Sequence, residues 1–214
     1  MRRLVAALLF APATLFAAET GHPLDAAPID PRDLASLQSG ARTFVNYCMG
    51  CHGAQYMRYN RLTELGLSES QIRDNLLFSG EKVGETMKAA MTVKDAKAWF
   101  GVPPPDLSVI ARARGADWLY TYLRTFHRDA RAAHGWNNTV FPNAAMPHVL
   151  WKVQADSSAV QYDTTVRDLV NFLVYVGEPS AQSRKAIGIV VLFVLGVLFV
   201  LAYAMKQAFW KDVR

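Results

Sequence analysis

The run Cys48-Met49-Gly50-Cys51-His52 contains the residue types and the spacing that most clearly indicate chemistry. Two thiols separated by two residues can add to the two vinyl groups of a single porphyrin, which fixes the ring covalently to the chain. The histidine that follows is then placed to bind the iron, and Gly50 would ease the tight turn between the cysteines. The motif therefore predicts one covalently bound c-type haem with His52 as an axial ligand.

Closely spaced cysteines also occur in two other kinds of site. A thioredoxin-like dithiol would follow a β-strand, and a tetrahedral zinc ion would need two further Cys or His ligands at short spacing. Neither context is evident around Cys48 and Cys51. The sequence has 2 cysteines and 5 histidines among 214 residues, so haem attachment uses both thiols and leaves none for a disulfide.

The ligand at the sixth position of the iron decides what such a haem does. An open position binds gases or peroxide, whereas a filled one leaves the iron to carry single electrons. Met146 is the favoured ligand because it lies in a predicted loop late in the chain, where Pro147 fixes the backbone beside it. A thioether ligand raises the reduction potential relative to a second histidine. The other candidates are Met57, Met87, Met91, His127, His134 and His148.

Two arginines, Arg112 and Arg114, follow the proline run at residues 103–105. A haem carries two propionates, and a guanidinium can pair with a carboxylate through two parallel hydrogen bonds. The alternative is a solvated ion pair at the surface, with Asp106 or Asp117 as the partner. The spacing alone leaves both interpretations open.

Helices are predicted wherever apolar residues recur at a spacing of three to four. These segments are residues 34–47, 68–78, 107–114, 117–126 and 164–176. The first of them leads directly into Cys48, and Gly40 beside Phe44 would let another helix approach that face closely. Residues 79–102 are expected to be irregular, and residues 127–143 are expected to form a loop.

The two ends of the chain are more basic and more apolar than the segment between them. Residues 1–18 combine an early basic pair with a short apolar run and are predicted to be a cleaved signal peptide. Ile187–Met205 contains 19 residues without a charge, or about 28 Å of helix, which predicts a membrane span. Residues 19–183 carry 16 basic and 17 acidic side chains, so the basic overall charge belongs to the ends and gives no indication of nucleic-acid binding.

The order of these motifs resembles the cytochrome c1 family, the haem subunits of quinol–cytochrome c oxidoreductases, in its proteobacterial form. The resemblance covers essentially the whole mature chain. The matching stretches are Cys48–His52, Tyr56–Leu62, Pro104–Ser108, Arg112–Arg114, Ala145–Pro147, Glu178-Pro179 and the anchor residues Tyr203, Lys206 and Trp210.

The resemblance implies a mostly α fold, an elaborated class I cytochrome c domain with one C-terminal transmembrane helix. It implies that His52 and Met146 are the axial ligands, that Pro104 and Pro105 line the haem, and that Arg114 meets a propionate. A family tyrosine near that propionate corresponds here to Trp118 or Tyr120.

The resemblance also implies partners and a location. A Rieske iron–sulfur protein would donate the electron, a soluble or membrane-anchored cytochrome c would accept it, and cytochrome b would be the third core subunit. The expected organisation is a periplasmic haem domain (19–183), a lipid-embedded anchor in the bacterial inner membrane (184–206) and a cytoplasmic tail (207–214).

Two other functions fit parts of the sequence. An anchored c-type cytochrome that feeds an oxidase or a denitrification enzyme would have the same haem and anchor but different partners. A haem enzyme such as a peroxidase would need an open sixth position. The sequence shows no substrate pocket or general base, so we expect the isolated chain to be an electron carrier, not an enzyme.

Overall fold

The computed structural model describes residues 22–212, apart from the side chain of residue 182. The predicted signal peptide lies outside the described residues. The helices are α1 (Leu34–Thr43), α2 (Glu69–Asn75), α3 (Val93–Phe100), α4 (Ile110–Arg114), α5 (Ala116–Arg124), α6 (Trp151–Asp156), α7 (Ala159–Gly177) and α8 (Ala181–Trp210). The strands are β1 (Ala54–Arg58), β2 (Thr86–Met87), β3 (Phe126–Arg128) and β4 (Trp136–Asn138). The mostly α fold with one C-terminal candidate membrane helix is confirmed.

The crossing of α1 and α7 organises the core. A methyl group on Gly40 would overlap the backbone carbonyl of Asp168 and would lie 2.7 Å from Cβ of Phe172. The rings of Phe44 and Phe172 pack with their centroids 5.7 Å apart. The buried Ser36 hydroxyl donates to Asp168 across the same contact at 2.7 Å. The predicted close approach at Gly40 is therefore confirmed, and α1 is held where it leads into the cysteine motif.

Two helices are longer than the apolar pattern indicated. α7 begins at Ala159 instead of residue 164, because Ser158 and Gln161 form a reciprocal capping box that stabilises its first turn. α8 extends beyond the uncharged core at both ends, and near its start Arg184 pairs with Glu178 at 2.7 Å. Capping groups as well as apolar spacing set helix ends, which explains the earlier start of α7.

Residues 79–102 are more regular than predicted. Thr92 accepts a hydrogen bond from the Asp95 backbone and so caps α3, which ends at Gly101 with φ of 77°. β2 pairs antiparallel with β1 just after the haem motif. The expected loop at residues 127–143 likewise contains the β3–β4 hairpin, and α6 was not predicted. The expectation of irregular structure over residues 79–102 was therefore wrong at β2 and α3 and is confirmed for the rest of the stretch.

The helix α8 carries the predicted membrane anchor. Within residues 22–212, Ser183–Trp210 is the single helix long and apolar enough to cross a membrane, and its most apolar 18-residue window has a mean hydropathy of 2.9. None of its most apolar window is buried against the rest of the chain. Apolar side chains on every side of a helix require an apolar surrounding. Among the described residues, α8 is therefore the one membrane anchor.

Candidate haem site

The cysteine motif lies at the end of the first helix. One wide π-helical turn, Phe44–Cys48, continues α1 and places Cys48 in the core. The backbone amides of Cys51 and His52 both donate to the Cys48 carbonyl, at 3.0 and 2.8 Å. This folds the five residues into a compact turn. The prediction that a helix delivers the chain to Cys48 is confirmed.

Gly50 has a smaller role than the sequence indicated. It is exposed, its φ is not in the left-handed region, and a methyl group there would meet nothing within 4 Å. Another small residue would therefore fit the turn. The structure therefore gives no support to the expectation that Gly50 eases the turn.

The two thiols lie in surroundings that do not suit a redox dithiol. Burial raises the pKa of the Cys48 thiol to about 12 and also raises the pKa of Cys51. Redox-active cysteines instead have lowered pKa values, which make them thiolates near neutral pH. Nor do residues 22–212 contain a group of three or more His, Cys, Asp or Glu side chains placed to hold a metal ion. The dithiol and zinc alternatives therefore lack support.

The His52 ring is held by the proline loop. Its Nδ1 lies 2.7 Å from the Pro105 carbonyl oxygen, which leaves Nε2 as the free nitrogen for iron. Burial is the main cause that lowers the pKa of His52, so the ring is neutral, as a metal ligand must be. Asp106 fixes the loop by accepting from the backbone amides of Gln55 and Ser108, both at 2.9 Å.

The sulfur of Met146 lies beside a phenol. Met146 is half-buried, and the Tyr122 hydroxyl donates to its Sδ at 3.5 Å. Burial raises the pKa of Tyr122 to about 12, so the hydroxyl keeps its proton at physiological pH. A thioether can accept a hydrogen bond with one lone pair and bind a metal with another.

His148, two residues further on, is engaged elsewhere. Its Nε2 lies 2.7 Å from Gln154 Oε1, and its ring stacks on Phe126 with centroids 4.9 Å apart. The side chain is 2% exposed. These contacts make His148 part of the packing that holds the Met146 loop, and they weaken its case as an iron ligand.

The other candidate ligands lie in several different places. Met57 and Met87 are fully buried in the core around the β1–β2 pair. His127 and His134 are exposed. The backbone amide of Met91 donates to the Gly50 carbonyl at 3.0 Å, and the Met91 side chain is half-buried. Met91 is therefore an alternative ligand whose backbone is hydrogen-bonded directly to the cysteine motif.

Arg114 is exposed at the end of α4. Its guanidinium lies over two aromatic rings, 5.1 Å from the centroid of Trp118 and 5.9 Å from that of Phe141. Among the described residues, neither Asp106 nor Asp117 forms an ion pair with it. The ion pair with Asp106 or Asp117 that the sequence left open is therefore absent among the described residues at Arg114. The Arg114 guanidinium is available to pair with a haem propionate.

Sequence reasoning treated Tyr122 only as part of an apolar helix face. The structure places it in an aromatic column formed by Trp118, Tyr122, Phe126 and His148. Trp118 stacks on Tyr122 with centroids 4.8 Å apart, and Tyr122 meets Phe126 edge-on at 5.1 Å. The recurrence of aromatic residues at every fourth position could have revealed this column.

The donors together fit a c-type haem. Cys48 and Cys51 supply two protonated thiols, and His52 supplies a neutral imidazole with one free nitrogen. Met146 supplies a thioether from a loop that is held by packed aromatic rings. A guanidinium lies at the end of α4. Pro104 is half-buried and Pro105 is exposed, both in the loop that holds His52.

Comparison with known proteins agrees with this chemistry. The profile of the Cytochrome C1 family matches residues 26–213. Cytochrome c1 of Allochromatium vinosum is 47% identical, over 100% of both chains, and cytochrome c1 of Rhodospirillum rubrum is 30% identical over 85% of this chain and 83% of its own. A Nitrosomonas europaea protein named ammonia monooxygenase gamma subunit is 48% identical over 99% of this chain and 97% of its own. The chain belongs to the cytochrome c1 family.

Proposed function

We propose that this chain carries single electrons from a Rieske iron–sulfur protein to a soluble cytochrome c, through one haem ligated by His52 and Met146. As a cytochrome c1, it is a haem-bearing electron-transfer subunit of a bc1-type complex, with cytochrome b and a Rieske protein as partners. The covalently bound c-type haem supplies one-electron chemistry. The main observation in support is that His52 and Met146, the two proposed axial ligands, lie in separate loops. Each is oriented by a hydrogen bond to a neighbouring group.

Each axial donor is oriented by a neighbour. The Pro105 carbonyl accepts from His52 Nδ1 and so directs Nε2 away from the proline loop. The Tyr122 hydroxyl does the equivalent for Met146 Sδ. Filled axial positions exclude substrates from the metal, so the residues leave electron transfer as the available reaction and do not favour a peroxidase.

The remaining contacts of the haem follow from charge and shape. Arg114, stacked above Trp118, would pair with a propionate, because a guanidinium fork matches a carboxylate. Trp118 then stands where the family tyrosine is expected, while the Tyr120 ring lies under Arg124 at 4.6 Å. Pro104 and Pro105 would line the ring on the His52 side.

The place of haem attachment suggests one orientation for the chain. Haem is attached outside the bacterial cytoplasm, so we assign residues 1–18 to a signal peptide, 19–183 to the periplasm, 184–206 to the membrane and 207–214 to the cytoplasm. The 28-residue segment Ser183–Trp210 of α8 spans about 42 Å, which exceeds the ~30 Å hydrocarbon core. Its polar ends can therefore reach both lipid headgroup regions.

Spheroplasts test the route and the orientation together. Supplied with a membrane-permeant quinol, they should reduce cytochrome c added to the outside, and antimycin should stop this reaction. A haem domain on the outer face is directly accessible to the added protein. Antimycin-sensitive reduction that appears only after the spheroplasts are opened would contradict the orientation.

A second function deserves a test because one relative of equal similarity is named as a monooxygenase subunit. In that case the chain would pass electrons to a membrane oxygenase. This resembles the alternative given by the sequence, in which it passes electrons to an oxidase or a denitrification enzyme. Purification under mild detergent separates the two. Copurification with cytochrome b and an iron–sulfur protein supports the proposal, whereas recovery with an oxygenase or oxidase without cytochrome b contradicts it.

A further inference from the structure

We propose that Tyr122 is a positioning residue that orients the Met146 thioether at the iron and raises the reduction potential of the haem. This inference rests on the proposed function, in which Met146 is the sixth ligand. It concerns a residue that the sequence motifs did not single out. Three features of its surroundings carry it.

The first feature is the direction of the hydrogen bond. In the described part of the chain, the Tyr122 hydroxyl makes one hydrogen bond, and its acceptor is Met146 Sδ at 3.5 Å. Because sulfur has two lone pairs, this bond leaves one pair for iron. It also restricts the sulfur to a subset of side-chain rotamers, which would otherwise be freely populated in a flexible methionine.

The second feature is the rigidity of the donor. The Tyr122 ring stacks on Trp118 with an interplanar angle of 10° and meets Phe126 at 68°. The next ring in the aromatic column, His148, stacks on Phe126 and lies in the same chain segment as Met146. Donor and acceptor are thus fixed by one set of packed rings.

The third feature is the dry environment. Tyr122 is 8% exposed, so water competes little for its hydroxyl. A hydrogen bond in such a low-dielectric setting is stronger than one at the surface. The donor withdraws electron density from the sulfur, which makes the thioether a weaker donor to Fe(III). Since Fe(III) gains one electron to become Fe(II), the bond favours the reduced state and raises the potential.

The variant Tyr122→Phe tests this role, because it removes one oxygen and retains the stacked ring. In the purified complex, we expect the Fe(II)/Fe(III) ratio at a fixed ambient potential to fall about threefold, a shift of about 28 mV given 59 mV per tenfold for one electron. The absorption band of thioether-ligated ferric haem should persist, and its loss at alkaline pH should begin at a higher pH, because the sulfur then donates more strongly to Fe(III).

The matched control is Tyr120→Phe, which removes the same atom from the same helix while the ring stays beneath Arg124. It should leave the potential and the ferric band unchanged. An equal shift in Tyr120→Phe would overturn the inference, because the effect would then be a general loosening of α5.

Failure of this inference can be separated from failure of the ligand assignment. If Met146→Leu abolishes the ferric band but Tyr122→Phe changes neither the potential nor the alkaline transition, Met146 is the ligand and the role of Tyr122 is refuted. If neither variant affects band or potential, another group ligates the iron and both proposals fall. A shift in Tyr122→Phe together with loss of the band in Met146→Leu supports both.

Discussion

Replacement of Met146 by leucine is expected to open the sixth position of the haem iron. Leucine fills a similar volume and so costs less than about 1.5 kcal/mol in packing, but it has no sulfur to donate. The reduced variant should bind carbon monoxide, whereas the reduced native protein should not. Its reduction potential should fall by on the order of 0.1 V or more, because axial ligands tune haem potentials over a range of about 0.8 V.

The control for this experiment is Met91→Leu. Met91 is the half-buried alternative whose backbone donates to Gly50, and that bond does not depend on its side chain. It should therefore keep the native potential and remain unreactive to carbon monoxide. The opposite pattern, with carbon monoxide binding to the Met91 variant and not to the Met146 variant, would assign the sixth position to Met91.

Replacement of Cys51 by alanine is expected to abolish electron transfer to soluble cytochrome c. The change removes one of the two thioether bonds and with it the fixed position of the ring above His52. Antimycin-sensitive reduction of cytochrome c by quinol should fall to the background rate in membranes from these cells. Quinol oxidases that bypass cytochrome c should continue to work in the same membranes.

Gly50→Ala is the matched control, since it lies one position away and its added methyl group would meet no atom within 4 Å. That variant should retain haem and full turnover. Wild-type rates of cytochrome c reduction in Cys51→Ala membranes would mean that this haem is not on the route.

The parts of the fold that could be predicted from the sequence are those with long, regular apolar patterns. α7 and the membrane helix α8 contain enough turns for the apolar spacing to be unambiguous, and Gly40 indicated the close crossing of α1 with α7. The haem motif was equally clear, because its chemistry is confined to five adjacent residues.

Short elements were harder because their stability comes from contacts distant in sequence. β2 contains two residues and forms because β1 lies beside it. α3 depends on a single capping threonine and a terminal glycine, which are weak signals within a stretch of lysines and alanines. Helix propensity without an extended apolar face rarely decides a structure.

The surroundings of Met146 could be predicted only in part for the same reason. Its loop position and Pro147 indicated a ligand, but the hydrogen bond from Tyr122 joins residues 24 positions apart. That contact exists because the aromatic column brings α5 against the loop. A hydrogen bond between residues so far apart in sequence depends on the packing of the whole domain, so no local sequence pattern predicts it.

The most direct test of the central claim is the time course of haem reduction in the purified complex, mixed anaerobically with quinol and oxidised soluble cytochrome c. The haem of this chain should gain one electron first, and its reoxidation should coincide with the appearance of reduced cytochrome c. Reduction of cytochrome c while this haem stays oxidised throughout would contradict the account.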